Sequence, residues 1–252
     1  MTEIEGESLH ALVTGGGRGI GRAVSRTLAE LGYRVGVCAR SRRELEETVA
    51  LIRTGGGEAY YLAVDVGTPE GCQRLAERAL REGDVDILVH CAGATPPIRT
   101  LEETSAEAWD KTLATNVGAL FHLCRLLVPR MKARRRGMVV AMSSGCGLKG
   151  HPGMAAYSAS KFAVQGLIQA LARESADSGL HALAINPGGV DTRMLVDLFG
   201  AEESAKNQPP AVVAEVVRRV VQGTLATPNG GGVVVRRGQV EVYAMPDGAK
   251  AV

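Results

Sequence analysis

A glycine-rich turn between a strand-like and a helix-like segment constrains the fold of this chain more than any other feature. The apolar run 9–13 is typical of a buried strand, and the stretch 14–21 (TGGGRGIG) follows it directly. Apolar residues at helical spacing begin at Ala23 and Val24. Glycines let the backbone turn tightly and approach a ligand, and the start of the following helix attracts phosphate. This order of elements predicts a dinucleotide-binding βα unit.

The rest of the chain continues the alternation of short apolar strands with helices. Strands are predicted at 11–13, 34–39, 59–64, 87–90, 138–142, 180–185 and 233–242. Helices are predicted at 19–31, 41–53, 69–82, 106–132, 156–177 and 211–223. The pattern indicates a Rossmann-type α/β fold, with a doubly wound, predominantly parallel seven-stranded sheet and helices on both faces. We expect a single catalytic domain over 1–252, with its ligand at the carboxyl ends of the strands.

A second pattern indicates chemistry. Tyr157 and Lys161 stand about one helical turn apart, so their side chains project from the same face of a helix. Ser144 follows the predicted strand 138–142. A nearby cation lowers the pKa of a phenol, and a serine hydroxyl can hydrogen-bond the oxygen on which the tyrosine acts. Beside a redox cofactor, these groups predict a proton-transfer site for a carbonyl or an alcohol.

With these motifs in place, the sequence resembles the short-chain dehydrogenase/reductase family in its compact single-domain form. The family's motifs match, in order, the glycine turn 14–21, Asn116, Ser144, Tyr157 with Lys161, and the Pro-Gly segment with threonine at 187–192. The resemblance implies that Tyr157 is the general acid or base and that Ser144 binds the substrate oxygen. It also implies that Lys161 lowers the tyrosine pKa and holds the nicotinamide ribose, while Asn116 positions a water beside the lysine.

The resemblance also implies a set of cofactor-binding residues. These are Gly15, Gly17, Arg18, Gly19, Ile20, Gly21, Arg40, Ser41, Asp65, Val66, Ala92, Gly93, Tyr157, Lys161, Pro187, Gly188, Val190 and Thr192. Ala39 stands where NAD-preferring members carry aspartate, and Arg40 beside it suits a 2′-phosphate, as does Arg18. NADP(H) is therefore predicted to be preferred over NAD(H). Asp65 is expected to accept from the adenine amine, or alternatively to cap a helix or turn.

The sequence departs from the family at one motif. His90 and Cys91 replace the two asparagines that precede Ala-Gly after the fourth strand. The asparagines brace the sheet in relatives, and the His90 imidazole is expected to hydrogen-bond in their place. Cys91 is interpreted as a small buried residue.

Composition restricts the partners. With 29 basic and 27 acidic residues, the net charge is +2, so no nucleic acid is expected to bind. Five scattered cysteines without C-x-x-C spacing favour reduced thiols and no metal site. The polar, acidic N-terminus is unlike a signal peptide, and no apolar stretch approaches the ~18 residues of a membrane span. A cytoplasmic location without membrane contact is predicted.

The predicted function is NADP(H)-dependent interconversion of a small carbonyl compound and its alcohol. The segment 193–210 is expected to cover the substrate as a lid, and its few cations favour a neutral, partly apolar molecule. The long helices 106–132 and 156–177 pair subunits in relatives, which implies a homodimer or homotetramer.

Two alternatives remain open at this point. The first is a 3-oxoacyl thioester reductase, which would dock an acidic carrier protein on basic surface such as Arg125, Arg130 and Lys132. The second is a non-catalytic NADP-binding regulator. That alternative predicts erosion of the serine, tyrosine or lysine of the catalytic motif, and all three are present.

Overall fold

The computed structural model describes residues 9–244 and arranges them around one eight-stranded sheet. The strands are β1 (His10–Thr14), β2 (Arg34–Ala39), β3 (Ala59–Ala63), β4 (Ile87–His90), β5 (Gly137–Met142), β6 (Leu180–Pro187), β7 (Gly232–Arg236) and β8 (Gln239–Tyr243). Their order in the sheet is β3-β2-β1-β4-β5-β6-β7-β8, and only β7 and β8 pair antiparallel. The predicted doubly wound α/β fold is confirmed.

The strand count of seven is wrong by one, because the predicted strand 233–242 is a hairpin. Its two-residue turn consists of Arg237 at φ 49° and Gly238 at φ 77°. Positive φ at both central residues suits the twist of a tight hairpin. A continuous apolar alternation on both sides of the turn hid it from the sequence pattern.

Helices cover both faces of the sheet, as the alternation predicted. They are α1 (Gly19–Glu30), α2 (Arg42–Thr54), α3 (Pro69–Glu82), α4 (Ala106–Leu113), α5 (Ala119–Ala133), α6 (Ala155–Arg173), α7 (Arg193–Phe199), α8 (Ala201–Ala205) and α9 (Pro210–Val221). On one face α1, α2 and α9 bury residues such as Leu28, Val49 and Val217. On the other face α3, α5 and α6 bury residues such as Leu75 and Ile168.

The predicted helix 106–132 is interrupted by a π-helical turn at Ala114–Gly118, which joins α4 to α5. Such turns are frequent at functional sites, and Asn116 is buried within this one. By length and composition the run Ala106–Ala133, in which an 18-residue window has a mean hydropathy of 1.2, could cross a membrane. This corrects the expectation that no segment reaches that length. In the fold, its residues Leu123 and Leu127 are buried in the core.

The chain reverses its winding between β1 and β4, which are neighbours in the sheet. The crevice at such a reversal is where open α/β sheets bind ligands. Thr14 and His90 end the two strands, and Thr14 Oγ1 lies 2.9 Å from His90 Nδ1. The same hydroxyl accepts from the Ala92 N–H at 3.0 Å. These bonds tie the two strand ends together beneath the crevice.

Candidate active site

A cleft of about 380 Å³ opens at the reversal point. It brings together most of the predicted cofactor residues. Those that line it are Gly15, Gly17, Arg18, Gly19, Ile20, Gly21, Arg40, Ser41, Asp65, Val66, Ala92, Gly93, Tyr157, Lys161 and Thr192.

The glycine loop forms the floor of this cleft, and its glycines are required by close backbone contacts. Gly15 has φ 66°, and a Cβ added there would lie 2.8 Å from the Ala92 nitrogen. A Cβ on Gly21 would collide with the Gly15 carbonyl oxygen. The backbone therefore reaches the start of α1 with no side chain in the way. That arrangement fits the pyrophosphate of a dinucleotide, because helix N-termini offer free N–H donors and positive potential.

Tyr157 and Lys161 lie on the first turns of α6 and face the other end of the cleft. Lys161 is 4% exposed, and its Nζ donates to the Met142 carbonyl oxygen at 2.7 Å. The same Nζ lies 5.5 Å from the centroid of the Tyr157 ring. The single-turn spacing read from the sequence therefore corresponds to real proximity.

The charge states of these two groups are governed by burial. Burial raises the pKa of Tyr157 to about 12, the Cys146 thiol adds to the rise, and a hydrogen bond from Ser144 opposes it. Burial also lowers the pKa of Lys161 to about 8. Lys161 is not among the causes of the Tyr157 shift, so its expected lowering of the tyrosine pKa stays a prediction. Its ammonium is held by the main-chain carbonyl of Met142.

Ser144 caps a short 3₁₀ turn, Gly145–Gly147, and its Oγ accepts from the Cys146 N–H at 3.1 Å. Its hydroxyl is close enough to the phenol to lower the pKa of Tyr157, which sets it beside that ring. The preceding Ser143 is used differently, because its Oγ donates to the Lys161 carbonyl oxygen at 3.0 Å. Ser143 thus anchors α6 to β5, while Ser144 faces the tyrosine.

Asn116 braces the site from below. Its Oδ1 accepts from the Ala94 N–H at 2.7 Å, and its Nδ2 donates to the Ala94 oxygen at 2.9 Å and to Ser160 Oγ at 2.8 Å. Ser160 in turn donates to the Tyr157 carbonyl oxygen at 2.7 Å. The asparagine therefore connects the π-helical turn to the loop after β4 and to α6. Sequence reasoning missed Ser160, whose only signal is its position between the tyrosine and the lysine.

His90 is fully buried behind the catalytic groups and hydrogen-bonds Thr14. Burial, assisted by the Lys161 charge, lowers its pKa to about 3. The imidazole is therefore neutral and joins β1 to β4, in the bracing position that the family gives to asparagine.

The opposite end of the cleft is charged and open to solvent. Arg18 is exposed, and its Nη1 lies 3.2 Å from Glu44 Oε1. Arg40 is exposed and has no ion pair or hydrogen-bond partner within residues 9–244. Ser41 caps α2 by accepting from the Glu44 N–H at 3.4 Å. Glu44 also lines the cleft, and sequence reasoning did not predict it. The signal that could have found it is the capping-box pattern Ser-x-x-Glu at 41–44.

Asp65 makes the turn bond of the second interpretation, while its contact with adenine stays a prediction. Its Oδ1 accepts from the Gly67 N–H at 2.9 Å, which is a turn bond. The residue also lines the cleft beside Val66, where an adenine amine is expected.

The segment after β6 divides between core and cleft. Pro187 ends β6, and the Gly188 N–H donates to the Val235 carbonyl oxygen at 2.8 Å. Val190 is 6% exposed and packs in the core, so its side chain does not border the cleft. Thr192 caps α7 and lies opposite the glycine loop, with its Cγ2 3.2 Å from a Cβ built on Gly19.

Only the first part of the segment 193–210, which was predicted to be a lid, lines the cleft. Arg193 and Met194, at the start of α7, line it. The second part is fastened to the body, because Ser204 Oγ donates to Asp191 Oδ1 at 2.6 Å and Gln208 Nε2 donates to the Val235 oxygen at 3.0 Å. The candidate cover is therefore α7.

The fold and the site together define a nicotinamide-dependent oxidoreductase of the Rossmann class. Residues 9–203 match the protein family described as short chain dehydrogenase. The chain belongs to the short-chain dehydrogenase/reductase family, as its motifs predicted.

Similar proteins span most of the chain. The NADPH-dependent pterin aldehyde reductase of Arabidopsis thaliana is 33% identical over 225 residues, covering 89% of this chain and 92% of that protein. The 3-oxoacyl-acyl-carrier-protein reductase FabG of Staphylococcus epidermidis is 34% identical over 186 residues, covering 73% and 76%. The solved structure of a short-chain type dehydrogenase/reductase from Mycobacterium ulcerans has a TM-score of 0.84 at 24% identity, covering 92% of this chain and 90% of that one. The last match supports the fold.

Proposed function

We propose that the protein is an NADP(H)-dependent oxidoreductase that interconverts a ketone or aldehyde and its alcohol. The observation that carries the proposal is the placement of Tyr157 and Lys161 at one end of a glycine-floored cleft, with Ser144 beside the tyrosine. When bound, the nicotinamide cofactor supplies or accepts the hydride.

The protein's own groups handle the substrate oxygen. A phenol with a pKa near 12 keeps its proton at neutral pH, which suits Tyr157 as the donor when a carbonyl is reduced. Ser144 would hydrogen-bond the same oxygen and stabilise its developing charge. Lys161, held beside the ring, adds positive charge close to the oxygen and presents a donor for a ribose hydroxyl. Asn116 and Ser160 keep α6 in position.

A preference for NADP(H) is supported by the exposed Arg40 and Arg18 at the other end of the cleft. A guanidinium binds phosphate with charge-assisted hydrogen bonds, and no acid replaces Ala39. The Arabidopsis relative is NADPH-dependent, which agrees with this assignment. Glu44 opposes it in part, because its carboxylate already pairs with Arg18.

Reduction of a 3-oxoacyl thioester is the second candidate, favoured by the similarity to FabG. Two of the three cations of its proposed basic docking surface already have partners within this chain. Arg130 pairs with Asp84 at 2.6 Å, and Lys132 donates to the Glu174 carbonyl oxygen at 3.0 Å. The small carbonyl compound therefore remains the first choice.

Self-association is part of the proposal. Phe121 and Phe162 are 45% and 46% exposed, and they lie on α5 and α6, the helices expected to pair subunits. Light scattering would give the number of subunits. The cytoplasmic location stays a prediction.

The test is oxidation of NADPH and NADH, followed at 340 nm with a panel of aldehydes, ketones and acyl thioesters, on the order of 1 mM each. We expect turnover of at least one free carbonyl compound with NADPH. Turnover of acyl thioesters alone would establish the second candidate instead. Tight NADPH binding without any turnover would show that the protein is a nucleotide-binding regulator.

A further inference from the structure

A cation near Ser144, the guanidinium of Arg236, has no partner among the residues that the structure describes. Arg236 ends β7 at the same edge of the sheet as Ser144 and Gly188, and its side chain is exposed. Within residues 9–244 it makes neither an ion pair nor a hydrogen bond through its guanidinium. By contrast, Arg18 pairs with Glu44, and Arg193 pairs with Asp197 at 2.6 Å. Arg236 is therefore free to bind a ligand.

The course of the side chain brings this charge toward the reacting groups. Its stem passes over Gly188, where an added Cβ would lie 3.2 Å from Arg236 Cγ. Its Nη2 lies 3.8 Å from a Cβ built on Gly145, the residue that follows Ser144. Because consecutive Cα atoms are about 3.8 Å apart, Nη2 is within about 9 Å of the Ser144 Cα. The two glycines leave the guanidinium uncovered on this side.

The platform that carries Arg236 is rigid. Strand β7 is paired on both sides. Its Val235 lies opposite Pro187 of β6, and its Arg236 lies opposite Gln239 of β8. Gln208 accepts from the Gly238 N–H at 3.2 Å and donates to the Val235 oxygen at 3.0 Å. The backbone of Arg236 is thus held before any ligand arrives, which reduces the entropy lost on binding.

From these observations we propose that Arg236 binds an anionic oxygen group, a carboxylate or a phosphate, carried by the substrate a few bonds from its reacting carbonyl. A guanidinium presents its donors in a fork that matches either group. This inference rests on the proposed function, because it takes Ser144 and Tyr157 as the groups that hold the carbonyl oxygen. It differs from the neutral substrate expected from the lid, because the cation belongs to β7 and not to the lid.

The test compares matched substrates and matched variants. The substrates are short-chain oxo acids, their methyl esters and a phosphorylated ketone. The variants are Arg236→Gln, Arg236→Lys and, as a control, Arg237→Asn, which removes a neighbouring charge while asparagine tolerates the positive φ.

We expect the parent enzyme to prefer an anionic substrate over its ester, and Arg236→Gln to lose about 10- to 100-fold in kcat/KM for the anion alone, mainly through KM. Arg236→Lys should fall between them, and Arg237→Asn should change little. Preference for the phosphorylated ketone supports the same role and identifies the anion. Equal rates for acid and ester in the parent, or equal losses in Arg236→Gln and Arg237→Asn, would overturn the inference. Absence of turnover with every carbonyl, esters included, would instead overturn the proposed function.

Discussion

The two ends of the cleft differ in whether their charged groups are buried or exposed to water. At the catalytic end Lys161 is almost completely buried, and burial shifts the pKa of both Tyr157 and Lys161 away from their ordinary values. At the far end Arg18 and Arg40 are exposed, and the ion pair of Arg18 with Glu44 lies in solvent. Removing a charge from water costs free energy and strengthens its interactions with neighbouring groups, whereas water screens the charges that are exposed. Substitutions at the catalytic end should therefore have much larger effects than those at the far end.

The largest effect is expected for Tyr157→Phe. Loss of the proton donor should lower kcat by about 10²- to 10⁴-fold, the usual contribution of general acid–base catalysis, with little change in NADPH affinity. Steady-state rates with the best carbonyl substrate, together with a binding titration, provide the measurement. Tyr61→Phe is the control, because its hydroxyl bonds Glu46 at the surface. A loss below tenfold would mean that another group moves the proton.

Lys161→Met should lower catalytic activity and raise the free energy of unfolding. The unfolded chain holds this proton with a pKa near 10.5, whereas the folded protein releases it near 8. Below pH 8 the lysine therefore lowers the free energy of unfolding by its full amount. This destabilisation decreases as the pH rises from 8 to 10.5. At pH 7 the variant should gain up to about 3 kcal/mol in free energy of unfolding, less the lost bond to the Met142 oxygen.

Urea unfolding of the parent and Lys161→Met at pH 7 and at pH 10 measures this difference. The gain should shrink at the higher pH, and the surface substitution Lys132→Met should show no such trend. A variant less stable than the parent by the same amount at both values would show that the ammonium is not penalised by burial.

At the far end, Arg40→Asp should weaken NADPH binding by about 10- to 100-fold and leave NADH nearly unchanged. The estimate corresponds to one or two charge-assisted hydrogen bonds to the 2′-phosphate. Dissociation constants for both cofactors are compared with those of Arg43→Asp, whose guanidinium pairs with Glu47 along α2. An unchanged ratio of the two affinities would refute the NADP(H) assignment.

The smallest effect is expected for Glu44→Gln. Removing the carboxylate frees Arg18 and should raise the preference for NADPH over NADH a few-fold, within the ~1 kcal/mol of an exposed ion pair. Increasing ionic strength should reduce the gain. Glu47→Gln serves as the comparison, and weaker NADPH binding in Glu44→Gln would mean that the glutamate itself contacts the cofactor.

How far the sequence could predict the site depended on the distance between its parts along the chain. The Tyr157–Lys161 pair and the glycine loop are local patterns, so periodicity and spacing predicted their geometry. Glu44 could have been predicted, because the capping box Ser41-x-x-Glu44 sets it next to Ser41, which was already predicted to bind the cofactor. The hairpin at Arg237 and Gly238 left too weak a pattern. Arg236 left none, because its neighbours Gly145 and Gly188 are brought to it only by the sheet.

By itself the sequence determined the class of fold, the family, the glycine floor and the candidate serine, tyrosine and lysine of the site. These depend on period, turn chemistry and residues within one helical turn of each other. Only the tertiary structure decided how those groups are charged. Burial, which depends on every element packed around them, raises the pKa of Tyr157 and lowers that of Lys161. It also decided which cations stay unpaired, because pairing depends on side chains that the sheet brings together from distant parts of the chain.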